Sequence, residues 1–129
     1  MRHHLDTTFI IDWHRQSPKI QVIRYEILAG THEVSFDPVA ETEYFAAPRI
    51  TRSRELTFAS LATVAVRLPV SSEACRLAGA WLGKMDKRQR RRHFNDALIA
   101  AIATLDDAVL ITADRRIARV FPLRVLEYT

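Results

Sequence analysis

The sequence predicts an open α/β fold with a mostly parallel central sheet. Short β-branched or apolar segments alternate with segments of helical periodicity along the chain. One of these, Val109–Thr112, is apolar almost throughout, which is typical of a strand buried on both faces of a parallel sheet. The 129 residues are 48% hydrophobic, which suits a single domain over residues 1–129 with a core of its own.

The N-terminal segment predicts a strand and two helices. Residues 2–6 form a short strand that ends at an aspartate, and a helix follows over residues 9–15. Ser17-Pro18 indicates a second helical start, because proline is favoured at the first position of a helix. Apolar residues then recur at helical spacing and a glycine offers a C-terminal stop: Ile20, Ile23, Ile27, Leu28 and Gly30.

The next segment predicts a strand at residues 34–36 and a helix over residues 39–47, which stops near Pro48. Asp37-Pro38 joins a preferred N-cap residue to a proline at the first helical position. A further helix is predicted over residues 52–62, where leucine and alanine recur among charged residues.

Residues 64–70 are short and β-branched, which predicts a strand. Ser71 or Ser72 caps the helix that follows, whose apolar residues share one face: Ala74, Leu77, Ala78, Trp81 and Leu82. We expect Cys75, the one cysteine, to be buried in this helix as a small apolar residue. It cannot form an internal disulfide, which fits a reducing compartment.

The C-terminal third predicts the most buried helix of the chain. Asn95 caps a helix over residues 96–105 that is apolar almost all round, so we expect it to be buried on several sides. The strand at residues 109–112 follows, and a short helix from Arg115 leads to a last strand over residues 123–126.

Composition and motifs exclude several classes of function. No apolar run approaches the roughly 20 residues that cross a bilayer, and the N-terminus lacks the apolar region of a signal peptide. We therefore expect a cytoplasmic protein without membrane association. The sequence also has no glycine-rich nucleotide loop, no H-E-x-x-H zinc motif and no nucleophile elbow.

The chain carries a net charge of +4, and its basic residues are densest between residues 84 and 93. This run predicts a polyanionic partner, with nucleic-acid binding by Lys87, Arg88, Arg90, Arg91 and Arg92. The run is expected to form the end of the preceding helix and the loop beyond it. A solvated helix end is an equally good explanation, since positive charge also suits the helix dipole there.

Acidic residues lie where the predicted strands end. Asp6 ends the first strand, and Asp114 comes two residues after the fourth. Glu41 and Glu43 lie on the helix after the second strand, and Asp96 begins the most buried helix. Ligands of open α/β sheets bind outside the carboxyl ends of the strands, so we expect these side chains to gather at one edge. Taken singly, each has an ordinary alternative role as a helix cap or on a solvated face.

Converging carboxylates need a cation. Two negative charges 4 Å apart repel by about 4 kcal/mol at an effective dielectric constant near 20. Hard oxygen ligands without histidine or cysteine select Mg²⁺, with Mn²⁺ as an alternative. Such a metal beside a basic surface is suited to phosphodiester hydrolysis, because it acidifies and orients a water molecule.

Four segments of the chain carry a family pattern. Residues 5–12 (LDTTFIID) are similar to an L-D-T-S-x-[LI]-I-D start, and residues 96–101 (DALIAA) to a D-A-L-I-A-A helix. Residues 110–116 (LITADRR) are similar to an L-[VI]-T-x-D block, and Leu68-Pro69-Val70 to the region between. The chain thereby resembles the PIN domain family, in particular the VapC toxin ribonucleases of bacterial toxin–antitoxin pairs. The resemblance implies a PIN-like three-layer α/β/α sandwich with four to five strands.

The resemblance implies a catalytic set in which the three aspartates also bind Mg²⁺: Asp6, Glu43, Asp96 and Asp114. Glu43 is preferred because residues 43–47 are similar to an E-x-[YF]-x-G segment, with alanine in place of the glycine. Glu41 is the alternative, and only one of the two should face the site, since they point about 200° apart on a helix. Thr8 and Thr112 match small polar positions where a hydroxyl could orient a carboxylate, or serve as ordinary strand-end hydroxyls.

The function that the resemblance implies is a Mg²⁺-dependent endoribonuclease toxin, which cleaves RNA to leave a 5′-phosphate and a 3′-hydroxyl. Its implied partners are RNA, a small VapB-like antitoxin and a second copy of the chain in a homodimer. One alternative is a catalytically inactive PIN-like module that binds RNA or protein. A DNA-binding regulator is a weaker alternative, because the sequence has no helix-turn-helix pattern.

Overall fold

Five strands form the centre of the computed structural model, which describes residues 2–128. Their bounds are β1 Arg2–Leu5, β2 Glu33–Phe36, β3 Ala65–Arg67, β4 Val109–Thr112 and β5 Val125–Glu127. They follow the order β3-β2-β1-β4-β5 across the sheet, and every neighbouring pair is parallel. The predicted α/β fold with a parallel sheet is confirmed, and all the carboxyl ends of the strands lie at one edge.

Helices flank the sheet on its faces. Their bounds are α1 Thr7–His14, α2 Gln21–Leu28, α3 Pro38–Phe45, α4 Arg52–Val64, α5 Ser72–Gly83, α6 Lys87–Arg92, α7 Phe94–Leu105 and α8 Ile117–Val120, with a 3₁₀ turn at Pro18–Ile20. Over residues 2–128, no helix is both long and apolar enough to span a bilayer.

Helix α7 lies in the core, as its apolar sequence predicts. It packs against α5 and β4, and its middle residues are buried: Ala97, Ile99, Ala100, Ala101, Ile102 and Ala103. Leu110 and Ile111 of β4 are fully buried beside it. Each large apolar side chain buried in this way stabilises the fold by roughly 1.5–3 kcal/mol. The start of α7 and the end of β4 are therefore held in position by the packing of the core.

A buried polar chain ties β1, β2 and α3 together. The ring of His4, which is fully buried, contacts Ser35 Oγ through Nδ1 at 2.7 Å and Asp37 Oδ2 through Nε2 at 2.6 Å. Oδ1 of Asp37 accepts hydrogen bonds from the first backbone amides of α3 at 2.8 and 2.9 Å, which confirms its predicted N-cap role. The cap made by Asp37 Oδ1 fixes where α3 begins, and with it the position of Glu43.

The basic run forms a separate helix, so the expectation of a helix end followed by a loop was wrong. α5 stops at Gly83, and α6 begins at Lys87. Oδ1 of Asp86 accepts a hydrogen bond from the amide of Gln89 at 2.8 Å and so caps α6. The acidic residue inside the basic run is therefore the signal for a new helix start.

Two further differences from the prediction concern α7 and β3. α7 begins at Phe94, and the side chain of Asn95 makes no cap, so that prediction was wrong. The strand predicted over residues 64–70 is shortened to β3. The amide of Leu68 still donates to Phe36 O at 2.9 Å, but Pro69 has no N–H with which to continue the ladder.

Cys75 is exposed, and the expectation that it would be buried was wrong. The buried stripe of α5 consists of Ala74, Ala78 and Leu82, which recur every four residues. Cys75 follows Ala74 by one position, which turns its side chain about 100° away from that stripe.

Candidate active site

Asp6 follows β1, the middle strand of the sheet. The residue is 3% exposed and occupies the N-cap position of α1, but its side chain makes no capping hydrogen bond. Its Oδ2 instead accepts hydrogen bonds from Thr112 Oγ1 at 2.6 Å and from Thr8 Oγ1 at 3.2 Å. The carboxylate of Asp6 is therefore held at the edge of the sheet rather than used as a helix cap.

The two threonines on Asp6 are held in turn by the backbone after β4. Thr112 Oγ1 accepts a hydrogen bond from the amide of Asp114 at 2.9 Å, and Thr8 Oγ1 accepts one from the amide of Ala113 at 3.1 Å. Each hydroxyl has one proton to donate, and a backbone donor leaves that proton for the carboxylate. The threonines thus orient Asp6 and join the ends of β1 and β4.

Glu43 and Glu41 lie on different sides of α3. Glu43 Oε1 accepts a hydrogen bond from Thr7 Oγ1 at 2.6 Å, and its Oε2 lies 3.4 Å from Asn95 Nδ2. Glu41 Oε1 is paired with Nε of Arg67, the last residue of β3, at 2.9 Å. Glu43 is therefore the glutamate that contacts the neighbours of two predicted aspartates: Thr7, which follows Asp6, and Asn95, which precedes Asp96.

Asp96 lies in the first turn of α7, where the positive end of the helix dipole favours a carboxylate. Its Oδ2 is 3.7 Å from Nδ1 of His93, the residue that joins α6 to α7. The His93 ring also packs edge-on against Phe121 at a centroid distance of 6.2 Å. Asp96 thus lies at the start of the core helix, next to Asn95, whose side chain contacts Glu43.

Asp114 is paired with Arg116 in the turn after β4. Its Oδ1 accepts hydrogen bonds from Arg116 N at 2.9 Å and Nε at 3.1 Å, and its Oδ2 accepts one from Nη2 at 3.1 Å. The hydrogen bond from Arg116 N to Oδ1 is the kind of contact that a capping aspartate makes, so Asp114 also fills in part its alternative role as a local cap. The side chain of Arg116 is the first cause of the lowered pKa of Asp114, so this carboxylate is readily ionised.

The acidic side chains act on one another through their charges. Burial is the main cause that raises the pKa of Asp6 to about 6, and the charges of Asp96 and Glu43 add to it, while the hydrogen bond from Thr112 opposes it. Burial likewise raises the pKa of Asp96, followed by the charges of Asp114 and Glu43. The structure therefore brings all four predicted residues into one electrostatic neighbourhood.

The donor atoms in this neighbourhood are oxygens of carboxylates and threonines, with His93 Nδ1 beside them at 3.7 Å from Asp96 Oδ2. Over residues 2–128, no three histidine, cysteine or acidic side chains lie close enough together to hold a metal ion by protein ligands alone. Mg²⁺, however, keeps several waters and commonly takes only one or two carboxylates. The donor set fits such a hydrated ion, because a cation would offset both the burial of the carboxylates, which is the main cause of the raised pKa of Asp6 and of Asp96, and the repulsion that adds to it.

A family model described as the PIN domain matches residues 4–121. The chain belongs to the PIN domain family. The family expected from the sequence is thereby confirmed, and the parallel sheet flanked by helices is consistent with the PIN fold. No curated protein matches the chain in sequence.

Solved structures resemble this PIN domain over nearly its full length. A chain of VapBC2 from Rickettsia felis, bound to a DNA fragment from its promoter, has 16% identity and a TM-score of 0.81, covering 100% of both chains. A chain of VapBC-1 from nontypeable Haemophilus influenzae has 25% identity and a TM-score of 0.75, covering 98% of both. A chain of the toxin–antitoxin system VapBC-5 from Mycobacterium tuberculosis has 21% identity and a TM-score of 0.67, again covering 98% of both.

The basic residues of α6 lie next to the PIN domain's acidic edge along the chain. Lys87, Arg88, Arg90, Arg91 and Arg92 are all exposed. Three of them, at positions 87, 88 and 91, line a surface hollow of about 380 Å³. α6 passes through His93 directly into α7, so three residues separate the last arginine of α6 from Asp96.

Four residues that sequence reasoning did not place in the site contact its acidic side chains. Thr7 and Asn95 contact Glu43, His93 approaches Asp96, and Arg116 pairs with Asp114. Each of the four lies within three residues of a predicted acidic residue along the chain. Proximity to a predicted acid was thus the available signal, but it does not say which neighbours turn inward.

Proposed function

We propose that this PIN domain, residues 1–129, is a Mg²⁺-dependent endoribonuclease of the VapC toxin type. The observation that carries the proposal is the shared electrostatic neighbourhood of Asp6, Glu43, Asp96 and Asp114 at the carboxyl edge of the sheet. Four acidic side chains repel RNA, so a surface that only binds RNA has no use for them. The four acids do have a use if they hold a cation that offsets their charge and acts on a phosphodiester.

In this proposal, Asp6, Asp96 and Asp114 hold a hydrated metal ion, directly or through its waters, and Mn²⁺ is able to replace Mg²⁺. The bound ion supplies an acidified, oriented water and offsets charge on the leaving oxygen. Thr8 and Thr112 keep Asp6 in one orientation by donating to its Oδ2. The low pKa of Asp114 keeps that carboxylate ionised and ready to exchange Arg116 for a cation.

Glu43 is proposed to take the proton of the attacking water. Its Oε1 is held by the short hydrogen bond from Thr7, whereas Oε2 has a contact of 3.4 Å with Asn95. A strong contact on one oxygen and a long one on the other fixes the carboxylate and leaves Oε2 to accept a proton. The products are a 5′-phosphate and a 3′-hydroxyl.

The basic helix α6 is proposed to bind the RNA backbone through Lys87, Arg88, Arg90, Arg91 and Arg92. Exposed arginines and lysines contact phosphates without reading the bases, so they hold the strand rather than select its sequence. The proximity of α6 to Asp96 along the chain favours binding of the strand beside the acidic edge.

The proposed partners follow from the structural neighbours. Chains of similar fold come from VapBC structures, one of which is described as a member of a toxin–antitoxin family. We propose that a VapB-like antitoxin binds this chain and that the toxin forms a homodimer. RNA as the substrate implies the cytoplasm as the place of action.

One experiment separates this proposal from a PIN-like module that binds without cutting. Purified, antitoxin-free protein is incubated with structured RNA and Mg²⁺, beside an EDTA control and an Asp96→Asn variant. Glu73→Gln is the matched control, because Glu73 also supplies a negative charge to the first turn of a helix, α5. Cleavage by the wild type and Glu73→Gln, lost in EDTA and in Asp96→Asn, supports the enzyme. RNA binding without cleavage of tRNA, rRNA or mRNA supports the binding module.

A further inference from the structure

Tyr128 and Asp12 form a buried contact close to the proposed metal site. Tyr128 follows β5, is 7% exposed, and donates a hydrogen bond from its phenol to Asp12 Oδ2 at 2.7 Å. Its ring packs almost perpendicular to Phe9, with the centroids 5.5 Å apart. Burial first and Asp12 next raise the pKa of Tyr128 far above its ordinary value, so the phenol remains a donor.

Tyr128 is linked to the two elements that carry the threonines orienting Asp6. Its phenol bonds Asp12, which lies on α1 about one helical turn after Thr8, and its backbone amide donates to Thr112 O at 3.3 Å. Thr8 and Thr112 in turn donate to Oδ2 of Asp6. Tyr128 is therefore connected to Asp6 by two separate routes, one through Asp12 and helix α1 to Thr8, and the other through Thr112.

The order of the strands shows which elements the Tyr128–Asp12 hydrogen bond joins. β4 lies between β1 and β5, and α1, which carries Asp12, follows β1. The bond from Tyr128 to Asp12 therefore joins the elements on the two sides of β4, across the strand end that carries Thr112. A clasp of this kind limits how far the two threonine hydroxyls can move apart.

We propose that Tyr128 and Asp12 are positioning residues that clasp Thr8 and Thr112 onto Asp6. The inference rests on the proposed function, because Asp6 acts as a metal ligand only there. Groups that hydrogen-bond to a metal's ligands commonly change metal affinity or activity by 10–100-fold when they are removed. Here the link is longer, because it passes through the element that carries each threonine, and we expect an effect of about tenfold, at the low end of that range.

The test is Tyr128→Phe, which removes the hydroxyl and keeps the ring against Phe9. Mn²⁺ binding is measured by electron paramagnetic resonance on the RNA-free protein, and kcat and KM are measured on a cleavable RNA. We expect Mn²⁺ to bind about tenfold more weakly and kcat to fall, with KM little changed because α6 holds the RNA. Asp12→Asn should retain most of the affinity, since an amide oxygen still accepts from the phenol, and Asp12→Ala should behave as Tyr128→Phe does.

Tyr44→Phe is the matched control. Tyr44 is fully buried, and its phenol donates to the backbone oxygen of Arg54 at 2.9 Å. Its substitution removes the same kind of hydrogen bond from a phenol that is bonded to α4 rather than α1, so thermal stability should fall while Mn²⁺ affinity stays at the wild-type value. Equal loss of affinity in Tyr44→Phe and Tyr128→Phe would mean a general loss of stability and would overturn the positioning role.

The remaining outcomes separate the two proposals. If the wild type binds Mn²⁺ and cleaves RNA, but neither Tyr128→Phe nor Asp12→Ala changes Mn²⁺ affinity, the clasp has no positioning role and the proposed function stands. If the wild type neither binds Mn²⁺ nor cleaves RNA, the proposed function fails, and the clasp fails with it. Asp12 is only partly buried, so Asp12→Ala provides the measurement if Tyr128→Phe does not fold.

Discussion

Thr7 donates a 2.6 Å hydrogen bond to Oε1 of Glu43, across 36 residues of sequence. The bond joins the first turn of α1 to the side of α3 that faces the core helix, and it aligns a glutamate with the aspartate that precedes Thr7. On the other side of α3, Glu41 is held by Arg67. One helix therefore carries two similar acids with different surroundings, which makes them a natural pair for comparison.

Glu43→Gln should abolish most RNA cleavage, and Glu41→Gln should not. Glutamine at position 43 still accepts the hydrogen bond from Thr7 but cannot take a proton from water, so we expect a loss of kcat of about 10²–10⁴-fold. Glutamine at position 41 removes only an exposed ion pair, which contributes little to stability. Single-turnover cleavage assays on both variants check this. Wild-type rates in Glu43→Gln would remove this residue from the catalytic set.

Rules of local geometry could predict from the sequence only that acidic residues gather at one edge of the sheet. Parallel strands end at one edge, which brings Asp6 and Asp114 there, and helical rotation allows only one of Glu41 and Glu43, whereas the choice of Glu43 came from the family resemblance. The residues that contact these acids could not be predicted in the same way. Whether Arg116 turns toward Asp114, or Thr7 toward Glu43, depends on distances between elements that no local pattern contains.

The errors in the fold also have local physical causes. Asp86 was counted within a basic run, but its carboxylate satisfies the amide of Gln89 and so starts α6. Cys75 was assigned by the usual burial of its residue type, whereas its position relative to the buried stripe of α5 decides its exposure. Position along the helix was the better guide to burial than residue type in this case.

In the absence of metal, the protein should lose stability as the pH rises from about 4 to above 6. The pKa of Asp6 is raised from 3.8 to about 6 in the folded state, so the folded protein binds more protons than the unfolded chain in this window. Ionisation of the buried carboxylate then costs up to about 3 kcal/mol, and the cost is complete above pH 6. Asp6→Asn should therefore be more stable than the wild type at pH 7, and the difference should shrink at pH 4.5.

Added Mg²⁺ should reverse this effect in the wild type alone. A metal binds the ionised carboxylates, so its stabilisation grows as the pH rises through about 6 and disappears as the pH falls below it. Thermal melts of the wild type and Asp6→Asn at pH 4.5 and 7, with Mg²⁺ or EDTA, measure both effects. An equal Mg²⁺ shift in the two proteins at pH 7 would mean that the ion binds elsewhere.

The α6 residues should determine the salt dependence of RNA binding. Replacing Lys87, Arg88 and Arg91 by alanine should weaken RNA binding in EDTA and flatten the plot of log Kd against log salt by roughly 0.7 for each phosphate that is no longer neutralised. Arg15→Ala is the control, because Arg15 is exposed and follows the end of α1 opposite Asp6. Fluorescence anisotropy at several salt concentrations gives the slopes. Unchanged slopes in the triple variant would assign α6 to another role.

The buried contact between His4 and Asp37 should control stability rather than chemistry. Both side chains are fully buried, and His4 Nε2 lies 2.6 Å from Asp37 Oδ2. His4→Leu leaves that oxygen without its partner in the core, which we expect to lower the free energy of unfolding by about 3 kcal/mol. Asp37 Oδ1 still caps α3 in this variant, so Glu43 keeps its place. Urea denaturation should show the loss, while cleavage per folded molecule at low temperature stays near the wild-type rate. A large loss of that rate would show that the His4 contact also sets the geometry of the acidic edge.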